Sequence, residues 1–160
     1  DYLKDVISET KADNQVRLNQ IWSVSCHFSP VKEEMQIKVV NKVFNELYTP
    51  LGLRSLSQDD EEYIGFYGES HYKRDMAYHQ GTVWGFPMGG FIEAYLKVNN
   101  YSSEAKNKCE ELLSGYKETL FEGCVDNISE VFDGDNPKES KGCYGQAWSV
   151  SEILRVYKIK

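Results

Sequence analysis

The chain has 160 residues, of which 41% are hydrophobic, so it is long enough to build one ordinary domain with a buried core. A formal net charge of −7 and a pI near 5.0 leave no broad basic surface for phosphates, which argues against nucleic acid as a partner. No apolar run approaches the ~20 residues that span a bilayer, and the first residues lack the pattern of a signal peptide. We therefore expect a cytoplasmic protein that does not enter a membrane.

Four stretches have the apolar spacing of amphipathic helices. In chain order they cover residues 29–47, 81–98, 103–120 and 146–157. The first stretch offers Ser29 as an N-cap and Pro30 at the first helical position. The second contains Pro87, which we expect to kink the helix because proline cannot donate the backbone hydrogen bond that an interior position needs.

Two long connections separate these helices, residues 49–80 and 123–144, and both are rich in polar and aromatic side chains. A structureless connection of that length inside a compact domain is uncommon, and it is usually functional or disordered. The aromatic residues of the first connection favour an ordered, functional loop. Since no alternating run is long enough for a sheet, the pattern predicts an all-α fold, with room only for isolated short strands in the loops.

The common catalytic and metal-binding motifs do not occur in the sequence. It contains no HExxH, no phosphate-cradling GxxxxGK and no GxSxG, and its three histidines lack metal-ligand spacing. The pair Asp133 and Asp135 resembles the start of a calcium loop, but Pro137 stands where the next ligand should be. We therefore expect neither a metal nor a cofactor.

Carboxylates, aromatic rings and amides on the two loops match the requirements of a sugar site, where rings stack on pyranose faces and polar groups bind hydroxyls. An inverting glycosidase also needs two carboxyl groups about 6.5–9.5 Å apart, one acid and one base. Glu130, in the stretch ISEVFDGDNP, suits the base because its apolar neighbours limit competing solvent. The alternative interpretation is a solvated or helix-capping acid, and the stretch alone does not decide between them.

Five ordered segments carry a family resemblance. They are RLNQIWSVS (17–25), TPLGLRSLS (49–57), YHQGTVW (78–84), FIEAYL (91–96), and ISEVFDGD with GCYGQAWSVSEILR (128–155). With them the chain resembles the C-terminal glucosidase part of glycogen debranching enzymes, the amylo-alpha-1,6-glucosidase family. The resemblance implies an (α/α)6 toroid, and it implies that residues 1–160 are a single C-terminal piece of that larger domain, a partial toroid of helical hairpins.

The resemblance also implies a reaction and a substrate. Members of the family remove the glucose left at an alpha-1,6 branch point of glycogen or limit dextrin, and they release it with inversion. The ISEVFD glutamate of related toroids is the general base, which makes Glu130 the catalytic residue by similarity. The family's general acid lies in an upstream Trp-Met-Asp segment that this sequence lacks. We therefore expect the chain to be inactive when it is isolated.

By similarity, nine further side chains are predicted to bind the substrate. They are Arg54, His79, Gln80, Trp84, Asp133, Trp148, Tyr67, Asp75 and Asn19. Structural alternatives remain open for several of them: the two tryptophans suit a core as well as a sugar platform, and His79 suits a loop pin. Arg54 also suits an ion pair with a neighbouring acid.

Two other functions remain open from the sequence. A non-catalytic glucan-binding helical module would keep the aromatic residues and tolerate the loss of Glu130. A related toroid alpha-glucosidase such as a trehalase would keep Glu130 and change the entrance loops. A truncated toroid would also expose apolar helix faces, so self-association is a further expectation.

Overall fold

The computed structural model describes residues 2–123 and 125–159. Within this part of the chain, a 3-10 turn at Leu18–Ile21 leads directly into the first of seven α-helices. The helices are α1 (Trp22–Ser25), α2 (Glu33–Leu47), α3 (His71–Ala77), α4 (Pro87–Val98), α5 (Ser103–Leu112), α6 (Gly115–Thr119) and α7 (Ala147–Tyr157).

Five short strands form one antiparallel sheet in the order of the chain. They are β1 (Tyr48–Thr49), β2 (Gly52–Arg54), β3 (Val83–Trp84), β4 (Val131–Phe132) and β5 (Ser140–Lys141). In the central register Leu53 lies opposite Trp84, and Val83 lies opposite Phe132. The sheet therefore joins three segments that lie about 30 to 80 residues apart in the sequence.

The prediction of an all-α fold, a partial (α/α)6 toroid, is wrong. The five-stranded antiparallel sheet makes this a mixed α/β structure. Strands β2, β4 and β5 fall inside the two stretches predicted as long loops, and β3 falls inside the stretch predicted as the second helix. Strands of two or three residues are too short to show a period of two, so the pattern that identifies strands was absent from the sequence.

Two predicted helices begin later than their patterns suggested. The α2 helix begins at Glu33, because the Ser29 hydroxyl accepts the Val31 amide (3.1 Å) in a local turn instead of capping the helix. Glutamates in the first turn of α2 complement the positive helix end. Pro87 occupies the first turn of α4, where no intrahelical donor is needed, so it starts the helix and does not kink it.

The third predicted helix is divided into α5 and α6. Ser102 caps α5 by accepting the Ala105 amide (3.2 Å), and the helix ends at Leu112. The chain continues helically from Gly115, whose α-carbon leaves room for Pro50: an added β-carbon would lie 2.9 Å from the Pro50 ring. The last predicted helix agrees with α7 to within a residue.

Helix α4 is the centre of the packing. It contacts α1, α2, α5 and α7 as well as β2, and its Phe91, Ile92 and Leu96 are fully buried. Each such side chain contributes about 1.5–3 kcal/mol by leaving water. Gly90 lets the Trp22 ring approach the α4 backbone, since a β-carbon at that position would lie 2.4 Å from the ring.

Across the described ranges, no helix combines the length and apolar character needed to cross a membrane.

Candidate functional site

Glu130 precedes β4 directly, and its carboxylate is held at both oxygens. The Cys143 backbone amide donates to Oε2 at 2.9 Å, and the Tyr78 hydroxyl donates to Oε1. The backbone amide of Glu130 also donates to the Cys143 carbonyl at 2.8 Å, which adds a bond between the segments that carry β4 and β5. Two donors from separate segments therefore fix the orientation of this half-buried carboxylate.

Tyr78 follows α3 and connects Glu130 to the tryptophan of β3. Its ring meets the Trp84 ring edge-on at 4.7 Å between centroids, and its carbonyl accepts the Trp84 Nε1 hydrogen at 3.1 Å. Burial raises the pKa of Tyr78, and the hydrogen bond and charge of Glu130 raise it further. The phenol is therefore protonated at neutral pH and acts as a donor to the carboxylate.

A cleft of about 470 Å³ opens on the other side of Trp84. Its aromatic wall is formed by Trp84, Phe86 and Trp148. Phe86 and Trp148 are stacked at 4.2 Å between centroids, and Trp148 meets Trp84 at a steep angle at 6.0 Å. Trp148 remains 44% exposed, whereas Trp84 is 5% exposed. The cleft therefore offers one solvent-facing ring supported by the half-buried Phe86 and the buried Trp84, which is an arrangement that a sugar face can stack on.

Polar groups form the opposite side of the cleft. Arg17 donates to the Gln80 side-chain oxygen at 2.6 Å and to the His79 carbonyl at 2.5 Å. Gln80 in turn donates to Glu62 at 3.1 Å. Further polar lining comes from Asp5, Asp13, Asn19 and Ser55. These carboxylates and amides provide both donors and acceptors for hydroxyl groups.

His79 connects the aromatic and polar sides of the cleft. Its ring is stacked almost parallel on Trp84, with 5.4 Å between centroids. Desolvation of the stacked face lowers the pKa of His79, and the positive charge of Arg17 lowers it further. The imidazole is therefore neutral at pH 7 and offers one donor and one acceptor.

A second cavity of about 330 Å³ lies next to the Glu130 carboxylate. Its lining includes Tyr67, Arg74, Lys141 and Gly142. Gly142 adopts a left-handed φ of +67°, and an added β-carbon there would lie 2.7 Å from Glu130 Oε2. A glycine at this position therefore leaves room for the carboxylate, and two cations lie at the edge of the same cavity.

Asp133 and Arg54 hold the loops around Glu130. Asp133 is 3% exposed, and its Oδ1 accepts the Tyr67 amide at 2.6 Å. Burial raises the pKa of Asp133. Arg54 donates from Nε to the Gly134 carbonyl at 3.1 Å, and this bond joins β2 to the turn after β4. Neither side chain lines the larger cleft.

Nine of the ten predicted site residues fall into two groups. Those that the fold brings together in the larger cleft are Asn19, His79, Gln80, Trp84 and Trp148. The second group consists of the proposed base Glu130, the nearby Tyr67, and Asp133 and Arg54, which hold the adjoining loops. Asp75 lines neither cavity: it is exposed on α3 and paired with His71 at 3.0 Å, although its charge reaches Tyr67.

Several residues that shape the site are absent from those predicted from the sequence, namely Tyr78, Arg17, Phe86, Asp5 and Asp13. Tyr78 and Arg17 lie inside the segments YHQGTVW and RLNQIWSVS, so the resemblance held a signal for both. Asp5 and Asp13 precede every matching segment, and no spacing marked them. Only the fold brings that N-terminal stretch to the cleft.

Over the described residues, no group of three or more His, Cys, Asp and Glu side chains is placed to hold a metal ion. This includes Asp133 and Asp135, the pair that resembled a calcium loop. Asp135 instead accepts the Tyr63 hydroxyl at 3.2 Å.

Comparison with known proteins identifies the family. The family model described as amylo-alpha-1,6-glucosidase matches residues 1–155, which is nearly the whole chain. The chain belongs to the amylo-alpha-1,6-glucosidase family. The resemblance found in the sequence is thereby confirmed.

One curated relative of this amylo-alpha-1,6-glucosidase chain is a glycogen debranching enzyme of Saccharomyces cerevisiae. The two are 24% identical over 143 residues, which cover 78% of this chain and 9% of the relative. The chain thus spans about a tenth of the length of that protein.

Proposed function

We propose that this chain provides the general base and part of the sugar-binding wall of an inverting glucosidase. The proposed substrate is alpha-1,6-linked glucose at glycogen branch points. Membership of the amylo-alpha-1,6-glucosidase family and a relative named as a glycogen debranching enzyme support the reaction class. The observation that carries the assignment of the base is the pair of hydrogen bonds that the Glu130 carboxylate accepts, one from the Tyr78 hydroxyl and one from the Cys143 amide.

In this mechanism Glu130 removes a proton from water as the water attacks the anomeric carbon. A carboxylate has about four lone-pair sites, and the two donors occupy two of them. The remaining lone pairs are available to orient and deprotonate a water molecule. Because the attack comes from the face opposite the leaving oxygen, the released glucose is the beta anomer.

The general acid is proposed to come from another part of the polypeptide. In the family it lies in a Trp-Met-Asp segment, and none of the three tryptophans here is followed by Met-Asp. The chain alone therefore releases no glucose in this proposal. It binds sugar and holds the base in place.

The larger cleft is proposed to bind the glucan. Trp148 provides the stacking face, and His79 and Gln80 bind hydroxyls from the polar side. Trp84 supports both aromatic neighbours, and Asn19 lies at the rim.

The residues around Glu130 have different proposed roles. Arg54 and Asp133 hold the two loops in fixed positions relative to each other. Tyr67 offers its hydroxyl to the sugar from the second cavity, and Asp75 meets an outer sugar unit from its exposed position on α3.

A second candidate function is a glucan-binding module without catalysis. Glu130 is not among the residues that line the larger aromatic cleft. Sugar held in that cleft could therefore be bound without meeting the carboxylate. In such a module, replacing Glu130 would leave every measurable property of glucan binding unchanged.

Glucose release from phosphorylase-limit dextrin tests the proposal. The full-length polypeptide that carries this chain is compared with its Glu130→Gln variant, and the anomer is followed by NMR. Glu111→Gln is the matched control, since Glu111 is an exposed glutamate of α5 that pairs with Lys108. Trehalose serves as a second substrate and separates a trehalase from a debranching glucosidase.

Beta-glucose from the wild type and from Glu111→Gln, with none from Glu130→Gln, is the expected result. The amide keeps the shape of the carboxylate but cannot accept the proton. Turnover by Glu130→Gln would contradict the base assignment. No glucose from any of the three proteins, together with retained binding, would favour the glucan-binding module.

A further inference from the structure

Tyr78 is the side chain whose hydroxyl bonds the carboxylate of the proposed base. We infer that Tyr78 is a positioning residue: its hydroxyl fixes the Glu130 carboxylate toward the attacking water. The inference rests on the proposed function, since it assigns a partner to the same base. It adds a residue that acts through Glu130 and not on the sugar.

The tyrosine is itself held at several points. Its carbonyl accepts Trp84 Nε1 at 3.1 Å, and its amide bonds the Asp75 carbonyl at the end of α3. Its ring lies between Trp84 and Tyr67, at 4.7 and 5.8 Å between centroids. A ring fixed in this way directs its hydroxyl to one place, so the donor is in position before substrate arrives.

The two donors bond different oxygens of the Glu130 carboxylate. The Cys143 amide bonds Oε2, and it lies on the segment that follows β5, which pairs with β4. The Tyr78 hydroxyl holds Oε1 from the opposite segment, next to β3. With only the backbone donor left, the carboxylate could rotate about its terminal bond, which has a broad torsional preference. The tyrosine therefore decides which lone pairs face the water.

In this pair the phenol of Tyr78 is the hydrogen-bond donor and the carboxylate of Glu130 is the acceptor. Burial and the neighbouring carboxylate both raise the pKa of Tyr78, so the phenol stays protonated at neutral pH. A hydrogen bond donated to a carboxylate favours its charged form. Other titratable or charged side chains near the pair are Tyr67, His79, Arg74, Asp75 and Lys141.

Replacing Tyr78 with phenylalanine removes the hydroxyl and keeps the ring. In the full-length polypeptide we expect kcat on limit dextrin to fall about 10- to 100-fold, as is typical when one hydrogen bond to a charged group is lost. KM should change less than threefold, because the proposed sugar contacts lie on other side chains. The acid limb of the pH-rate profile should move to higher pH, because a donor that favours the charged form of a carboxylate is lost.

Tyr48→Phe is the matched control. Tyr48 is also half-buried, and its hydroxyl donates to the Leu112 carbonyl at 3.1 Å, away from Glu130. This variant should keep the kcat and the pH profile of the wild type.

A second variant covers the case in which Tyr78→Phe does not fold. Incorporation of 3-fluorotyrosine at position 78 keeps the ring and the hydroxyl but makes the phenol a stronger donor. The acid limb should then move to lower pH, opposite to the change in Tyr78→Phe. An unmoved acid limb in this variant would overturn the inference.

The outcomes separate the inference from the function on which it rests. One outcome would overturn the role of Tyr78 alone. In it, the wild type and Tyr48→Phe are active, Glu130→Gln is inactive, and Tyr78→Phe has the same kcat and pH profile as the wild type. A loss in Tyr78→Phe that appears only in KM, with no movement of the pH limb, would also overturn it. No glucose from the wild type would overturn the proposed function and the inference together.

Discussion

Arg17 donates a hydrogen bond from its guanidinium to the side-chain oxygen of Gln80, at 2.6 Å, across 63 positions of sequence. A second guanidinium nitrogen donates to the neighbouring His79 carbonyl. This planar fork ties the N-terminal segment to the loop that ends in β3. It also sets the orientation of Gln80, and the amide nitrogen of Gln80 then donates to Glu62.

Replacing Arg17 with lysine should weaken glucan binding. A lysine keeps the charge but cannot donate in two fixed directions, so Gln80 loses its orientation. We expect the dissociation constant for limit dextrin to rise about tenfold, which corresponds to about 1.4 kcal/mol. Isothermal titration calorimetry on the full-length polypeptide measures this directly.

The matched control is Arg155→Lys. Arg155 also makes a branched set of bonds, to Glu93 and Glu152, but these lie between α4 and α7 and outside the cleft. Its replacement should leave the dissociation constant within twofold of the wild type. Equal weakening by both variants would show that a general loss of stability, and not the cleft, explains the result.

The two tryptophans of the cleft should respond differently to alanine. Trp148 is the more exposed and stacks on Phe86, so Trp148→Ala should weaken glucan binding about tenfold and lower the free energy of unfolding by only about 1 kcal/mol. Trp84 is buried, so Trp84→Ala should lower it by about 3–5 kcal/mol. Urea unfolding and calorimetry separate the two effects. Unchanged binding by Trp148→Ala would remove the stacking role.

Gly52 should not tolerate a side chain. Its φ is +153°, and an added β-carbon would lie 2.1 Å from the Trp84 carbonyl oxygen on the neighbouring strand. Gly52→Ala should therefore lower the free energy of unfolding by more than about 2 kcal/mol. Gly85→Ala is the control, because the nearest heavy atom there is the Ser149 hydroxyl at 3.3 Å. Its cost in urea unfolding should stay near 1 kcal/mol or below.

Asp133 should make stability depend on pH in a predictable direction. Its pKa is raised above 3.8 by burial, so the folded state binds more protons than the unfolded state just above that pH. The contribution of the protonated carboxyl to stability is complete below 3.8 and is lost as pH rises through the folded pKa. Asp133→Asn keeps an oxygen for the Tyr67 amide and removes this titration.

Urea unfolding of the wild type and Asp133→Asn at several values between pH 3.5 and pH 7 measures the difference, roughly over the window in which carboxylic acids titrate. The stability of the variant relative to the wild type should increase with pH and then level off. A difference that is constant over this range would contradict the assigned direction. A decrease would show that the folded state favours the charged carboxylate.

The amino-acid sequence by itself determined the long helices and the family. The apolar spacing of α2, α5 and α7 is a local property, because residues three and four apart share one helix face wherever the helix lies. The family segments likewise marked Glu130 and the stretch around His79. Helix starts were less certain, since Ser29 and Pro87 each suit more than one position and their neighbours decide which one is used.

Only the tertiary structure decided the sheet and the assembly of the site. Strands of two or three residues have no period of their own, and they form here because segments distant in sequence supply each other's backbone partners. That pairing places β3 next to β4, with Tyr78 bonded to Glu130 and Trp84. A sequence records which side chains are present, but contacts across 50 or 60 residues depend on how the whole chain packs, and spacing alone does not encode them.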